Sequence, residues 1–333
     1  MMVCHVFNSF TRMDARQSGP YVLSQFVGGM AAPLFLFMAG MTLGFGMESL
    51  ERRGFAPTAR WRASLRRAAY VLGIAFLFRL TNWAGSLPHA DPGEITKVDI
   101  LNCMGVGMVV FASAALFRGA ARARFAVALA LGIAAAAPLV SNLPWGGAPA
   151  LLREYLVPGP GRGRFPFFPC ASYIGFGVAV GVMVKRAAAE RMDRLMQWFA
   201  LAGFGLVFIA QYFSNIPYSL YPKSDFWQNS PALVLIRVGI APLVLAGAYL
   251  WTVYCAAAGW SWMECLGRNS LIVYWVHVML VYGGIAQPIK RTLSVGGSGV
   301  ATVLLTGLML AMSAAWLWWK ANRASRVKKV VAA

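Results

Sequence analysis

Charged residues are scarce in this sequence, and acidic residues are the scarcest. Only 12% of its 333 residues are charged, with 11 Asp or Glu against 30 Lys or Arg. A soluble domain carries about one quarter charged residues, so this chain lacks the polar surface that water requires. The composition therefore argues against a soluble globular protein and against a disordered one.

Apolar residues take the place of the missing charge and make up 59% of the chain. They concentrate in blocks that approach the length of about 20 residues needed to span a bilayer. The longest blocks are Ala31–Gly46, Phe125–Val140, Ala232–Ala258 and Val300–Trp319. The sequence predicts an all-α fold, a polytopic membrane helix bundle surrounded by lipid.

The signatures of common catalytic and metal sites are also missing. The chain contains no HExxH, GxSxG or Walker pattern. Its five cysteines form no CxxC pair and most lie inside apolar blocks, where a thiol is usually a small core residue, and its three histidines are scattered. A metal cofactor is therefore not predicted.

Nine complete spans and one partial helix are predicted from the apolar blocks. The spans are Leu23–Glu48, Ala68–Gly85, Val98–Phe117, Phe125–Asn142, Cys170–Val184, Leu195–Asn215, Pro231–Ala257, Met263–Gly284 and Val300–Trp319. Clusters of Lys and Arg occupy alternate connections, as the positive-inside rule expects of cytoplasmic loops. The rule places the basic tail, residues 320–333, in the cytoplasm, and it explains the net charge of +19 without a nucleic-acid partner.

The first ten residues, Met1–Phe10, are apolar but too short to cross a bilayer core about 30 Å thick. We interpret them as the outer half of a first helix whose inner half is missing from the reading frame. A short segment lying in the membrane interface is the alternative. The whole chain, residues 1–333, is predicted to form a single membrane domain.

Several ionisable residues fall at membrane depth, where they are costly and usually functional. In the predicted topology they all lie towards the outer side, which suggests an outward-facing vestibule. The candidate catalytic residues are His5, His277, Asp99 and Arg237, and the candidate substrate-binding residues are Arg79, His89, Arg164 and Asp225.

Each of three catalytic candidates has a simpler interpretation. Arg237 could extend its side chain to the interface, Asp99 could cap a helix, and His277 could be a buried histidine satisfied by one hydrogen bond. His5 is the strongest candidate, because a histidine titrates near neutral pH and can act as a base or a nucleophile.

Glycines spaced four residues apart occur in two spans, as Gly40 with Gly44 and Gly177 with Gly181. Small residues at this spacing let two membrane helices approach closely. The pattern predicts helix packing rather than ligand binding.

Four stretches of the sequence together resemble the bacterial relatives of heparan-α-glucosaminide N-acetyltransferase, within the transmembrane acyltransferase superfamily. Their order and spacing run over nearly the whole chain. They are Val3–Phe7 with Gly28–Gly40, then Lys97–Gly105, then Phe165–Pro169, and finally Ser230–Gly239 with Leu266–His277.

The resemblance implies an enzyme of the bacterial inner membrane that moves an acetyl or other acyl group from cytoplasmic acyl-CoA to an extracytoplasmic sugar or glycan. It implies acetyl-CoA as co-substrate and assigns the role of base or acyl carrier to His5. Superfamily members usually carry a basic residue before this histidine. That residue would lie in the missing part of the predicted first helix. The outer-loop histidine of the animal enzyme has no match in Thr11–Val22.

A transporter or flippase of small or lipid-linked molecules is the alternative function, with the buried charges binding a solute or relaying protons. A proton-coupled transporter normally has a carboxylate deep within a span. Here Glu48 and Asp99 lie at span ends, so the sequence favours the acyltransferase.

Overall fold

The computed structural model describes residues 1–85, 87, 93, 95, 97–158, 165–218, 220–255 and 260–331, with side chains as far as residue 323. All regular elements in these residues are helices, which confirms the predicted all-α class. The described residues form two compact units. The first contains those within 1–31, 84–89 and 257–333, and the second those within 32–83 and 90–256.

The first unit contains five helices from the two ends of the chain. They are α1 (Met2–Phe10), α2 (Gly19–Gly29), α11 (Trp262–Arg268), α12 (Ser270–Tyr282) and α13 (Val295–Val331). The predicted first helix is thus observed as nine residues. Its interpretation as part of a longer helix stays a prediction, as does the single membrane domain.

The second unit contains the central eight helices. They are α3 (Ala31–Arg52), α4 (Pro57–Ala84), α5 (Ile100–Phe111), α6 (Gly119–Ser141), α7 (Ala150–Leu156), α8 (Phe167–Arg186), α9 (Met192–Ser214) and α10 (Pro231–Leu250). Helix α8 has the largest buried share of the helices long and apolar enough to span a membrane, and it packs against α5, α6 and α10.

Six helical segments of the described residues are long and apolar enough to cross a membrane, which makes this a multi-pass membrane protein. They are Gly19–Arg52, Gly119–Ser141, Phe167–Arg186, Ala189–Ser214, Pro231–Cys255 and Val295–Arg323. Two shorter apolar helices, Ile100–Leu116 and Ser270–Tyr282, fall on two further predicted spans. Helix α4 has 28 residues but carries several arginines. The predicted count of nine complete spans therefore stays a prediction.

The predicted span Met263–Gly284 is broken at Asn269, between α11 and α12. The Asn269 side-chain amide donates to the Ser313 hydroxyl at 2.8 Å, and that hydroxyl donates to the Cys265 carbonyl at 2.7 Å. These polar contacts give the broken helix hydrogen-bond partners on α13. Such partners are required wherever irregular backbone lies at membrane depth.

The two glycine pairs lie directly against each other between α3 and α8, which confirms their predicted role in helix packing. A Cβ atom on Gly40 would collide with the carbonyl oxygen of Ile174, and one on Gly177 with that of Phe37. One on Gly44 would lie 2.6 Å from the Val178 carbonyl oxygen. The backbones of the two helices are in contact, so only glycine fits at these positions.

A buried ion network joins four helices of the second unit. Arg122, which is fully buried, donates to Glu48 at 2.6 Å and also to Glu51. Arg60 donates to Glu51 at 2.8 Å, and Arg186 approaches Glu48 at 3.4 Å. The network lies where the basic loops were predicted to enter the cytoplasm. It shows that some of these arginines hold helices together.

The glycine contact predicts that Gly177→Ala destabilises the protein by about 1–3 kcal/mol, because the added methyl group must push α3 and α8 apart. The matched control is Gly132→Ala in α6, where a Cβ atom meets nothing within 4 Å. Thermal unfolding of the purified protein in detergent measures both. Equal midpoints for the two variants would contradict the packing argument.

The ion network predicts a large loss of stability for Arg122→Ala. Removing one partner of a buried pair leaves an uncompensated charge and costs about 3–5 kcal/mol. The control is Arg124→Ala, two residues away on the same helix and exposed, which should unfold like the wild type. A small effect of Arg122→Ala in the same unfolding assay would show that the network contributes little.

Candidate functional site

His5 and His277 are directly paired in the first unit. The Nδ1 atom of His5 lies 3.0 Å from the Nε2 atom of His277, and the two rings stack with centroids 5.2 Å apart. His277 is 2% exposed, whereas His5 is half-buried. Two of the four predicted catalytic residues, 272 positions apart in sequence, thus form one pair.

The hydrogen bonds fix where the protons lie in the neutral pair. The Nδ1 atom of His277 lies 2.6 Å from the Val273 carbonyl oxygen, which can only accept, so this nitrogen carries a hydrogen. The Nε2 atom of His277 is then an acceptor, and Nδ1 of His5 donates to it. Consequently Nε2 of His5 is left without a hydrogen. This is the form in which an imidazole can remove a proton from a substrate.

Packing against α12 and α13 holds α1 in place. Val6 and Phe10 of α1 form a buried apolar cluster with Val281 and Ala286. The backbone after α1 also pairs with the segment before α13, because Leu293 donates to the Phe10 carbonyl and Arg12 donates to the Leu293 carbonyl, each at 2.9 Å. These contacts fix the position of α1 along its own axis, and therefore the level of His5 relative to His277.

Side-chain contacts fix the rotation of α1 about its own axis. The Ser9 hydroxyl donates to the Val281 carbonyl at 2.9 Å, and the Tyr282 ring meets the edge of His5 with centroids 5.5 Å apart. On the other flank, a Cβ atom on Gly28 of α2 would collide with Cys4. The glycine therefore lets α2 pack closely beside the pair.

Asp99 and Arg79 form an ion pair in the second unit, with 2.7 Å between the Asp99 carboxylate and the guanidinium. Asp99 also caps α5. Its side chain accepts from the Ile100 amide at 2.7 Å, and Asn102 completes a capping box. The structure bears out the capping interpretation of Asp99, whereas its catalytic role and the substrate-binding role of Arg79 stay predictions.

Asn102 and Tyr155 extend this polar group, and sequence reasoning missed both as site residues. The Asn102 amide donates to the Tyr155 hydroxyl at 3.0 Å. Burial raises the pKa of Tyr155, against the opposing effects of Asn102 and of the Arg79 charge. The hydroxyl therefore stays protonated near neutral pH and can donate a hydrogen bond. The three-residue spacing from Asp99 is the signal that could have found Asn102, because a capping box joins residues at this spacing, usually Ser or Thr with Glu or Gln.

Arg237 lies on α10 in the second unit, close enough to Tyr173 of α8 to act electrostatically on its hydroxyl. The convergence of His5, His277, Asp99 and Arg237 in one cavity stays a prediction. Asp225 is exposed and accepts from the backbone amides of Trp227 and Gln228 at 2.8 and 3.0 Å. It closes a local turn, and its role in substrate binding stays a prediction.

His89 and Arg164 lie outside the described residues, so their proposed contacts with substrate stay predictions. Within the part of the chain that the structure describes, no group of three or more His, Cys, Asp or Glu side chains could hold a metal ion. The chemistry available at the histidine pair is proton transfer, or brief attachment of an acyl group to a ring nitrogen.

Comparison with known proteins assigns the family. No curated protein matches the chain. Residues 1–221, which include His5, match the family described as heparan-alpha-glucosaminide N-acetyltransferase, catalytic. The match covers most of the chain and agrees with its multi-pass helical structure and with the resemblance seen in its motifs. The chain belongs to this family of membrane acetyltransferases.

Proposed function

We propose that this protein transfers an acetyl or related acyl group from acyl-CoA to a hydroxyl or amino group of a sugar or glycan, with His5 as the general base. The observation that carries the proposal is the His5–His277 pair. Its hydrogen bonds leave a proton-accepting nitrogen on a residue inside the family match. Acyl transfer needs such a base, because a neutral hydroxyl is a weak nucleophile.

The reaction follows from the position of the protons. Nε2 of His5 takes the proton of the acceptor hydroxyl or amine as the acceptor attacks the thioester carbonyl. The carbon–sulfur bond then breaks, and the proton passes from His5 to the departing thiolate of coenzyme A. The acceptor becomes acylated and His5 returns to its neutral form, so the step needs no other reactant.

His277 acts in this scheme as a positioning residue. While His5 carries the proton, its Nδ1–H donates to Nε2 of His277, and a hydrogen bond from a charged donor is stronger than a neutral one. The Val273 carbonyl holds His277 in the tautomer that can accept. The arrangement resembles a catalytic triad in which a buried partner orients the basic imidazole, with a histidine in the place of the usual carboxylate.

The sidedness of the reaction is part of the proposal. The alternation of basic clusters supports a cytoplasmic C-terminus in a bacterial inner membrane, with the donor on the cytoplasmic side and the acceptor outside. Acetyl-CoA is the co-substrate that the family implies. Asp99 and Arg79, bound to each other and to the start of α5, support the outer end of that helix.

The proposal predicts that His5→Ala loses about 10²–10⁴-fold in the rate of acyl transfer, the usual contribution of a general base. The assay uses the full chain in liposomes, with labelled acetyl-CoA on one side and a panel of amino sugars and neutral sugars on the other. Val3→Ala, an exposed position on the same helix, is the control and should be fully active.

Three outcomes would contradict this proposal. Full activity of His5→Ala would eliminate the histidine as the base. Movement of an intact solute without acylation would favour the transporter. Label found on His5 after rapid quenching would identify the histidine as an acyl carrier rather than a base.

The pair also predicts non-additive effects of substitution. His277→Ala should lower kcat by about 10–100-fold and shift the pH profile, because His5 loses the partner that orients it. The double variant His5→Ala/His277→Ala should be no slower than His5→Ala alone. A further slowing of the double variant, or an unchanged pH profile in His277→Ala, would mean that His277 does not act through His5.

A further inference from the structure

Arg237 carries a charge that the described residues do not balance. It is half-buried about two turns into α10, which begins at Pro231. Among the described residues it forms no ion pair, whereas Arg79 and Arg122 each contact a carboxylate. An arginine at membrane depth is costly without a partner and is a functional site by default. An anion from outside the described chain would compensate it.

Tyr173 supplies a second, independent sign of a ligand. Its side chain is 2% exposed, yet its hydroxyl has no hydrogen-bond partner among the described residues. A buried polar group without a partner destabilises a fold, so buried hydroxyls normally have a hydrogen-bond partner. The hydroxyl lies near Arg237, because α8 and α10 pack against each other. The guanidinium lies within hydrogen-bonding range of the hydroxyl, although the pair does not meet full hydrogen-bond geometry, and a guanidinium offers no acceptor, so the hydroxyl proton still lacks one among the described residues.

The chemistry of the two groups defines the ligand. A guanidinium only donates, and a phenol hydroxyl donates readily, so together they match an acceptor-only anion. A carboxylate accepts two parallel hydrogen bonds from an arginine and can accept a third from the tyrosine. Its single charge balances that of Arg237, whereas a doubly charged phosphate would leave a net charge at membrane depth.

We propose that Arg237 and Tyr173 form a binding site for the carboxylate of an acidic solute. In a step that rests on the proposed function, this solute is the acyl acceptor. The substrate class then narrows from sugars in general to sugars that carry a carboxylate.

Isothermal titration calorimetry of the purified full chain in detergent tests the site without any acyl donor. The probes are galacturonate, its neutral counterpart galactose, and sulfate. Galacturonate should bind, and galactose and sulfate should bind at least tenfold more weakly. Arg237→Gln should weaken galacturonate binding by about 10–100-fold, the usual effect of losing a hydrogen bond to a charged group. Tyr173→Phe should weaken it by a smaller factor.

Two further variants distinguish loss of the binding site from loss of the fold. Arg237→Lys preserves the charge and the fold but cannot form the bidentate contact with a carboxylate, so binding should fall about tenfold. Arg66→Gln, an exposed arginine of α4, should bind like the wild type. Equal binding of galactose, tighter binding of sulfate, no binding of galacturonate, or undiminished binding in Arg237→Gln would each overturn the site. Because acyl-CoA is absent, failure here is distinguishable from failure of the acyl transfer assay.

Discussion

A polar group buried away from water needs a partner in the protein or in a bound ligand, because lipid offers neither water nor hydrogen bonds. Three pairs of described residues that are distant in sequence meet this constraint within the protein. Arg122 meets Glu48, Arg79 meets Asp99, and His5 meets His277. Each pair joins two different helices, so the chain's few ionisable groups also act as contacts between helices. The histidine pair thereby ties the first helix of the chain to one near its end.

The same constraint explains how much could be predicted from sequence. The shortage of charge was enough to identify a helical membrane protein, and glycines at a spacing of four marked the contact between α3 and α8. Both inferences depend on local composition or short periodicity, which a sequence displays directly. The capping role of Asp99 was also predictable, because the cap and the helix it begins are adjacent in the chain.

The partners of the site residues could not be predicted, because they are distant in sequence. His277 is 272 positions from His5 and lies outside the family match, which ends at residue 221. The pairing depends on the packing of α1 against α12. The apolar residues of these helices do not indicate, in the sequence, which helix they pack against. The break at Asn269 could not be predicted for a similar reason, since the Ser313 hydroxyl that stabilises it belongs to another helix.

Two arginines of the predicted spans differ in their partners. Arg79 forms an ion pair with the carboxylate that caps α5, so its charge is balanced by a residue of the protein. Arg237 has no such carboxylate among the described residues, and its neighbour Tyr173 has a buried hydroxyl with no partner. Burying a hydroxyl without an acceptor costs free energy, and an anion bound by the guanidinium and the hydroxyl together would offset that cost. This is the physical ground of the proposed carboxylate site.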